Sequence, residues 1–294
     1  MTKRAPTSRP TTARTSRRPA TATRELAPAP APRPRRRTTA AAAAEPSLGK
    51  YAYCIVRAER PLSFGRLGIG PTPTEVTTVQ WGDLAAVVSD VPMGTQDPTR
   101  DNVLAHQRVN ETVMQEHTVL PMSFGTVFKT RDDIIEFLRS AYDAFVDVLD
   151  KMEHKLEFGL KVLWDRDAVV RQIEEEDEDI RRVRAQLAAQ RGSTYFARMQ
   201  YGRLVDAALQ ARAERYIADI FGGLRDVAVA SRSNKPIGDR MIMNAAFLVS
   251  RQQEAAFDAR VKELGARFDK LTFKYTGPWP PYNFVNIRLK LERA

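Results

Sequence analysis

The chain has 294 residues, 43% of them hydrophobic, and this composition supports a sizeable buried core in one large domain or two smaller ones. Its one cysteine and three histidines exclude an internal disulfide and cannot build a four-ligand zinc site. No apolar run reaches the roughly 18–20 residues of a membrane helix, and no apolar stretch follows the basic N-terminus. We therefore expect a soluble, cytoplasmic protein without a membrane segment.

The net charge of +10 is concentrated at the N-terminus. Residues 1–49 carry eleven basic and two acidic side chains and eight of the 18 prolines, whereas residues 50–294 carry 35 basic and 34 acidic side chains. Because the first segment has few large apolar residues, we predict that residues 1–49 form a disordered basic tail. The balanced remainder gives no reason to expect nucleic-acid binding, which needs a basic face.

Residues 50–165 alternate strand and helix patterns and form the first predicted domain. The segment 51–56 is β-branched or aromatic at most positions, which predicts a strand, and a hairpin is predicted around Trp81-Gly82-Asp83. The further predicted elements are a helix from Thr99 or Asp101 to 115, an interrupted strand over 119–128, a helix over 131–152 with a capping box at Thr130, and a strand over 156–164. This order predicts a two-layer α+β sandwich.

Residues 166–294 form the second predicted domain, with long helices and a C-terminal segment rich in proline and aromatic residues. A helix over 167–190 carries six consecutive acidic residues, Glu174 to Asp179, which we interpret as a solvated face instead of a metal site. The further predicted elements are a helix over 194–221 that ends at Gly222-Gly223, a helix over 252–268, and strands over 226–231, 241–250 and 271–275. This order predicts a second α+β domain.

Candidate catalytic groups are few. His106 and His117 are 11 residues apart, so a helix would place them on one face but about 16 Å apart along its axis, too far to share a metal ion. We interpret both as partly exposed structural residues, and Cys54, inside a predicted strand, as a buried apolar group. The chain has no G-x-S-x-G, no P-loop and no H-E-x-x-H motif. We therefore expect no enzyme activity, cofactor, metal ion or small-molecule substrate.

Two segments carry apolar residues among residues that disrupt regular structure. The first is Leu120, Pro121, Phe124 and Gly125, and the second is Gly277, Pro278, Trp279, Pro280, Pro281 and Tyr282. Prolines remove backbone donors, so the second segment cannot lie in a central strand. Two interpretations remain open: the segment folds back onto the body of the protein, or it presents a surface to an apolar partner.

These segments, together with the strand over 51–56 and His106 before the Leu-Pro strand, resemble the gas vesicle protein GvpL/GvpF family. The resemblance covers about residues 50–290, and we favour the GvpF branch. It implies two α+β domains with ferredoxin-like halves and an accessory role in gas vesicle formation, in the gas vesicle or the cytoplasm. It also implies association with the small, very apolar shell protein and with other minor gas vesicle proteins. The family supplies no catalytic residues.

The strand over 241–250 is a candidate surface for that partner, because it carries Met241, Met243, Phe247 and Val249. Such a strand could offer an adaptable apolar surface or an edge for strand addition. The alternative function is an uncharacterised cytoplasmic enzyme, or a nucleic-acid-associated protein that uses the basic tail.

Overall fold

The structure, a computed structural model, describes residues 47–189, 192 and 194–285. The prediction of a disordered tail therefore falls, for residues 1–46, outside the described residues. Strand β1 (Leu48–Arg57) includes the last two residues of the predicted tail, 48 and 49. Gly49 is already packed there, since a Cβ at this position would stand 2.4 Å from Met93 Sδ and 2.9 Å from Val127 Cγ1.

The first sheet is antiparallel, has the order β2-β3-β4-β1-β5, and includes β6 as a second partner of β1. Its further strands are β2 (Ser63–Arg66), β3 (Glu75–Trp81), β4 (Leu84–Pro92), β5 (Leu120–Pro121) and β6 (Val127–Phe128). The helices that follow are α1 (Arg100–Met114), α2 (Arg131–Ser140) and α3 (Tyr142–Met152).

Helices cover both faces of this sheet. Tyr51 and Tyr53 of β1 pack with Val109 of α1, whereas Ile55 packs with Phe145 of α3. The first half therefore has three layers where the sequence predicted two. The physical reason is visible in β1, where every residue from 51 to 56 is apolar and buried, as in strands that are covered on both sides.

The predicted helix over 131–152 is divided at Ala141, whose backbone (φ −122°, ψ 19°) leaves the helical region. The capping box is present: Asp133 N donates to Thr130 Oγ1 at 3.1 Å, and Thr130 N donates to Asp133 Oδ2 at 2.9 Å. Leu138 of α2 and Phe145 of α3 still reach one core, so the apolar periodicity continues across the break.

The second sheet is also antiparallel, with the order β10-β7-β9-β8. Its strands are β7 (Lys155–Trp164), β8 (Ala230–Asn234), β9 (Met241–Ser250) and β10 (Leu271–Trp279). Its helices are α4 (Arg166–Glu176), α5 (Glu178–Ala189), α6 (Tyr195–Arg225) and α7 (Glu254–Arg267). These helices pack in one core with alternate residues of β7 and β9.

The mixed α-helical and antiparallel fold is confirmed, with differences in how the elements are grouped. The sequence analysis assigned β7 to the first half, but β7 lies at the centre of the second sheet, between β9 and β10. The ferredoxin-like description of both halves is not confirmed. In the second half, three helices (α4–α6) connect β7 to β8 and α7 connects β9 to β10, whereas the first sheet has the different strand order β2-β3-β4-β1-β5. The predicted domain boundary at residue 165 stays a prediction.

Three details of the second half differ from the prediction. The acidic helix breaks at Asp177, and Glu174 is buried, accepting hydrogen bonds from Tyr201 and from Arg184 Nη1 (2.7 Å). The run of acidic residues is therefore not solvated throughout. Helix α6 continues through Gly222-Gly223 to Arg225. Gly223 faces α7, where a Cβ would meet Arg260 Nη2 at 3.3 Å.

Strand β9 does not provide the predicted partner surface. It lies between β7 and β8 and therefore has no free edge. Met243, Phe247 and Val249 are all buried in the core beneath the helices. Leu248, on the opposite face of β9, packs in the core that contains Ile55 of the first sheet, so the two sheets share one apolar core.

Within residues 47–189, 192 and 194–285, every helix is too short or too polar to cross a membrane.

Candidate functional site

The first predicted segment lies directly beside strand β1. Leu120 is buried opposite Ile55, and Pro121 pairs with Cys54. The chain then forms a loop over residues 122–126, in which Phe124 packs edge-on against Tyr51 with ring centroids 6.0 Å apart. This segment is therefore part of the first sheet and its surroundings.

A chain of hydrogen bonds holds that loop. Gly125 N donates to Tyr51 Oη at 3.1 Å, and Tyr51 Oη lies 2.8 Å from His106 Nδ1. Burial lowers the pKa of His106 to about 4 and raises the pKa of Tyr51 to about 12, so both groups are neutral at pH 7. Because its Oη already accepts from Gly125 N, the Tyr51 hydroxyl group donates to Nδ1 of the neutral imidazole. His106 is buried, not partly exposed as predicted, and it connects α1 to the loop.

The second predicted segment folds back onto the body of the protein. Pro280 and Pro281 are buried, Trp279 is partly buried at the end of β10, and β10 is an edge strand, as the prolines require. Gly277 has a φ of +131°, and a Cβ there would stand 2.8 Å from Phe158 Cδ1. The neighbouring Pro278 is exposed and follows a cis peptide bond.

The structure adds a contact that the sequence analysis missed. Glu157 of β7 is buried, and its two carboxylate oxygens accept hydrogen bonds from Asn283 N at 2.7 Å and Asn283 Nδ2 at 2.6 Å. Burial raises the pKa of Glu157, and the bonds from Asn283 partly oppose this shift. Arg232 Nη1 donates to the carbonyl of Asn283 at 2.8 Å, and Asn234 Nδ2 donates to its Oδ1 at 3.2 Å. Glu157, the one acidic residue of strand β7, was the available sequence signal.

Tyr282 lies between the two halves of the structure. It keeps 39% of its surface exposed. Its neighbours Phe284 and Val285 pack against the core that contains Ile55 of β1, and Asn283 bonds Glu157 of β7. The C-terminal segment is therefore a wedge between the two halves.

A cavity of about 370 Å³ opens at the same junction. Its apolar lining residues are Met114, Val119, Leu149, Met152 and Pro281. Its charged or ionisable lining residues are Arg57, Glu116, His117, Glu153, His154, Lys155 and Arg251. Residues from both halves therefore build this junction cavity.

Two contacts fix the charged rim of the junction cavity. Arg57 Nη1 pairs with Asp150 at 2.5 Å, and Arg251 Nη2 donates to the carbonyl of Met114 at 3.1 Å, which links the end of β9 to α1. Of the predicted site residues, Pro281 lines the cavity, and Leu120 directly follows the lining residue Val119. The others lie away from it, in the loop beside Tyr51 or near the end of β10.

The chemistry of the junction cavity suits binding. In the described part of the chain, no three residues among His, Cys, Asp and Glu are arranged to hold a metal ion. Cys54 is fully buried, and burial raises the pKa of its thiol, which keeps it protonated and unreactive. The lining combines five apolar side chains with charged and polar ones, a mixture that can take an apolar side chain together with the polar backbone of a polypeptide.

Comparisons with known proteins agree with the sequence motifs. The family model described as gas vesicle synthesis protein GvpL/GvpF matches residues 49–286. The chain is 32% identical over 222 residues to gas vesicle protein F1 of Halobacterium salinarum, covering 74% of this chain and 85% of that protein. It is 30% identical over 239 residues to gas vesicle protein F of Streptomyces sp. (strain CB03234), covering 81% of this chain and 100% of that protein.

The fold also matches a solved structure. The crystal structure of the gas vesicle protein GvpF from Anabaena sp. PCC7120 aligns with a TM-score of 0.74 at 24% identity, over 83% of this chain and 100% of that chain. The names of both relatives agree with the GvpF branch. The chain belongs to the gas vesicle synthesis protein GvpL/GvpF family.

Proposed function

We propose that this protein is a non-enzymatic assembly factor that binds the small hydrophobic shell protein of the gas vesicle and assists nucleation or growth of the vesicle wall. Family membership supports a role in gas vesicle formation. A shell subunit with a large apolar face would aggregate before it reached the growing wall, so a protein that covers this face is useful. The protein would act in the cytoplasm or on the vesicle, together with other minor vesicle proteins.

The junction cavity is the observation that carries the binding role. Met114, Val119, Leu149, Met152 and Pro281 give its lining apolar surface, and Pro281 belongs to the C-terminal motif segment. Methionine side chains adapt their shape to different apolar partners, and two of these five residues are methionines. We infer that one apolar side chain of the shell protein enters the cavity, while its backbone contacts the rim.

Capture of purified shell protein by the immobilised full-length chain tests this function. We expect capture to survive a change from low to high salt, because screening weakens exposed charge pairs and leaves apolar burial intact. Thr118→Trp fills the junction cavity and should abolish capture, whereas Thr112→Trp, on α1 outside the cavity lining, should not. Loss of capture in high salt would contradict the apolar mechanism, and no capture at any salt would contradict the function.

A further inference from the structure

One face of the second sheet is covered near the C-terminal wedge and becomes polar farther along its strands. Alternate residues of β7, such as Leu160 and Val162, face helices α4–α7, so the residues between them lie on the opposite face. Near the C-terminal wedge this opposite face is covered, and Glu157 is buried there. Farther along, one row crosses all four strands and consists of Lys274, Lys161, Asn244 and Asn234. This part of the face is entirely polar.

The two lysines of the row form an unusual pair. Lys161 and Lys274 are register partners on neighbouring antiparallel strands, so their Cβ atoms lie about 5 Å apart on the same face. Both residues are exposed, and like charges in such a position destabilise a sheet. Ion pairs among the described residues involve other basic side chains, such as Lys151 and Arg184, and none of them neutralises either lysine.

A third cation lies on the same face. Arg232 of β8 pairs with Ala246, which is the register partner of Gly159, two residues before Lys161. Its Nη1 donates to the carbonyl of Asn283. The other N–H groups of the guanidinium remain as possible donors to a ligand. Glu157 is on this face too, where Asn283 donates to both of its oxygens and the charge of Arg232 acts to lower its pKa, so Arg232 is the cation of the three with an acidic neighbour. We call Lys161, Lys274 and Arg232 the lysine patch.

We propose that the lysine patch binds an acidic polypeptide segment of a partner protein. A carboxylate placed between Lys161 and Lys274 replaces the repulsion between the two lysines by two attractive lysine–carboxylate contacts. Binding therefore stabilises the sheet. Strand β10 is an end strand of the sheet, and an extended segment can lie along it beside Lys274. This interaction is separate from the shell-protein proposal, because none of the three residues of the lysine patch lines the junction cavity.

The size of the patch favours a peptide over nucleic acid. Nucleic-acid binding rests on the neutralisation of many phosphates along a basic face. The lysine patch offers three cations, and residues 50–294 as a whole carry almost equal numbers of basic and acidic side chains. One or two carboxylates of a protein partner match this charge.

Zero-length cross-linking locates the contact directly. The full chain is mixed with a labelled Glu-Gly repeat peptide, a carbodiimide couples carboxylates to adjacent lysine amines, and the products are mapped by mass spectrometry. We expect Lys161 and Lys274 to be coupled well ahead of Lys129 and Lys262, which are equally classed as exposed. Coupling spread evenly over the exposed lysines would overturn the proposal.

Affinity measurements with matched variants supply the second test. Lys161→Glu/Lys274→Glu should weaken peptide binding about tenfold, whereas Lys129→Glu/Lys262→Glu, with the same change in net charge, should weaken it less than about twofold. If the first variant fails to fold, Lys161→Gln/Lys274→Gln replaces it, with an expected loss of about threefold. Equal losses in the patch and control variants, or equally tight patch-dependent binding of a single-stranded oligonucleotide, would overturn the proposal.

Discussion

Substitution of Asn283 tests the contact that holds the C-terminal wedge in place. Asn283→Ala removes the Nδ2 bond to the buried carboxylate of Glu157 (2.6 Å) and the bond from Asn234 (3.2 Å), but it leaves the backbone N–H bond. A hydrogen bond to a charged group contributes about 1.5–3 kcal/mol and a neutral one about 1 kcal/mol. We therefore expect the free energy of unfolding to fall by about 2–4 kcal/mol.

Thermal and urea unfolding measure this loss. For a chain of this size the expected decrease in melting temperature is roughly 5–12 °C. Asn234→Ala is the matched control, because it removes the neutral bond alone and should cost about 1 kcal/mol or less. A double-mutant cycle of Asn283→Ala with Glu157→Gln should give a coupling energy of at least about 1 kcal/mol. A coupling energy near zero would refute the view that this contact holds the wedge.

Four further predictions follow from single positions. As the pH falls from 6.5 to 4, the free energy of unfolding should fall by up to about 3 kcal/mol, because His106 has a pKa of about 4 when folded and takes up its proton near pH 6.5 when unfolded. Urea titrations of His106→Gln should lack this part of the pH dependence. If the free energy of unfolding of the variant depends on pH as in the unchanged protein, the assignment to His106 is contradicted. Gly277→Ala should destabilise the protein by about 1–3 kcal/mol, since its φ is +131° and the added methyl group would overlap neighbouring atoms; an unchanged melting temperature would show that the turn relaxes. Lys161→Glu should raise the free energy of unfolding by about 0.5 kcal/mol by pairing with Lys274, and a decrease would argue against their cross-strand proximity. A chain that begins at Ser47 should melt within a few degrees of the full-length protein, and a large loss would mean that residues 1–46 contribute to the fold.

Local sequence signals located most elements correctly. The Trp81-Gly82-Asp83 hairpin, the N-cap at Thr99 and the capping box at Thr130 all depend on residues within a few positions of each other. The structure contains each of them because nothing distant competes with these contacts. Strand β9 has the bounds that its composition predicted, 241–250.

Local sequence signals could not predict which strands and side chains pair across long distances along the chain. Strand β7 precedes both of its partners in the second sheet, and its pattern of alternate apolar residues does not say which sheet will bury them. Glu157 and Asn283 are 126 residues apart, so neither residue alone indicated the contact. Gly223 resembled a helix end, but its lack of a side chain serves the close approach of α7.

The candidate site was predicted in part. The two apolar segments were recognised, and they reach the junction between the halves through Val119 and Pro281. The other cavity residues come from loops and helix ends such as Met152 and Arg251, whose positions depend on how the two sheets pack. A cavity made by packing has no local sequence pattern, which is why the sequence did not reveal it.

Hydrogen exchange of the complex with the shell protein tests the central claim most directly. The full-length chain is exchanged with and without bound shell protein, and protection is read along the sequence. Binding at the junction cavity predicts slower exchange at residues 114–119 and 149–155, with little change in α6, which contributes no residue to the cavity lining. Capture of the shell protein without protection at these residues would contradict the account.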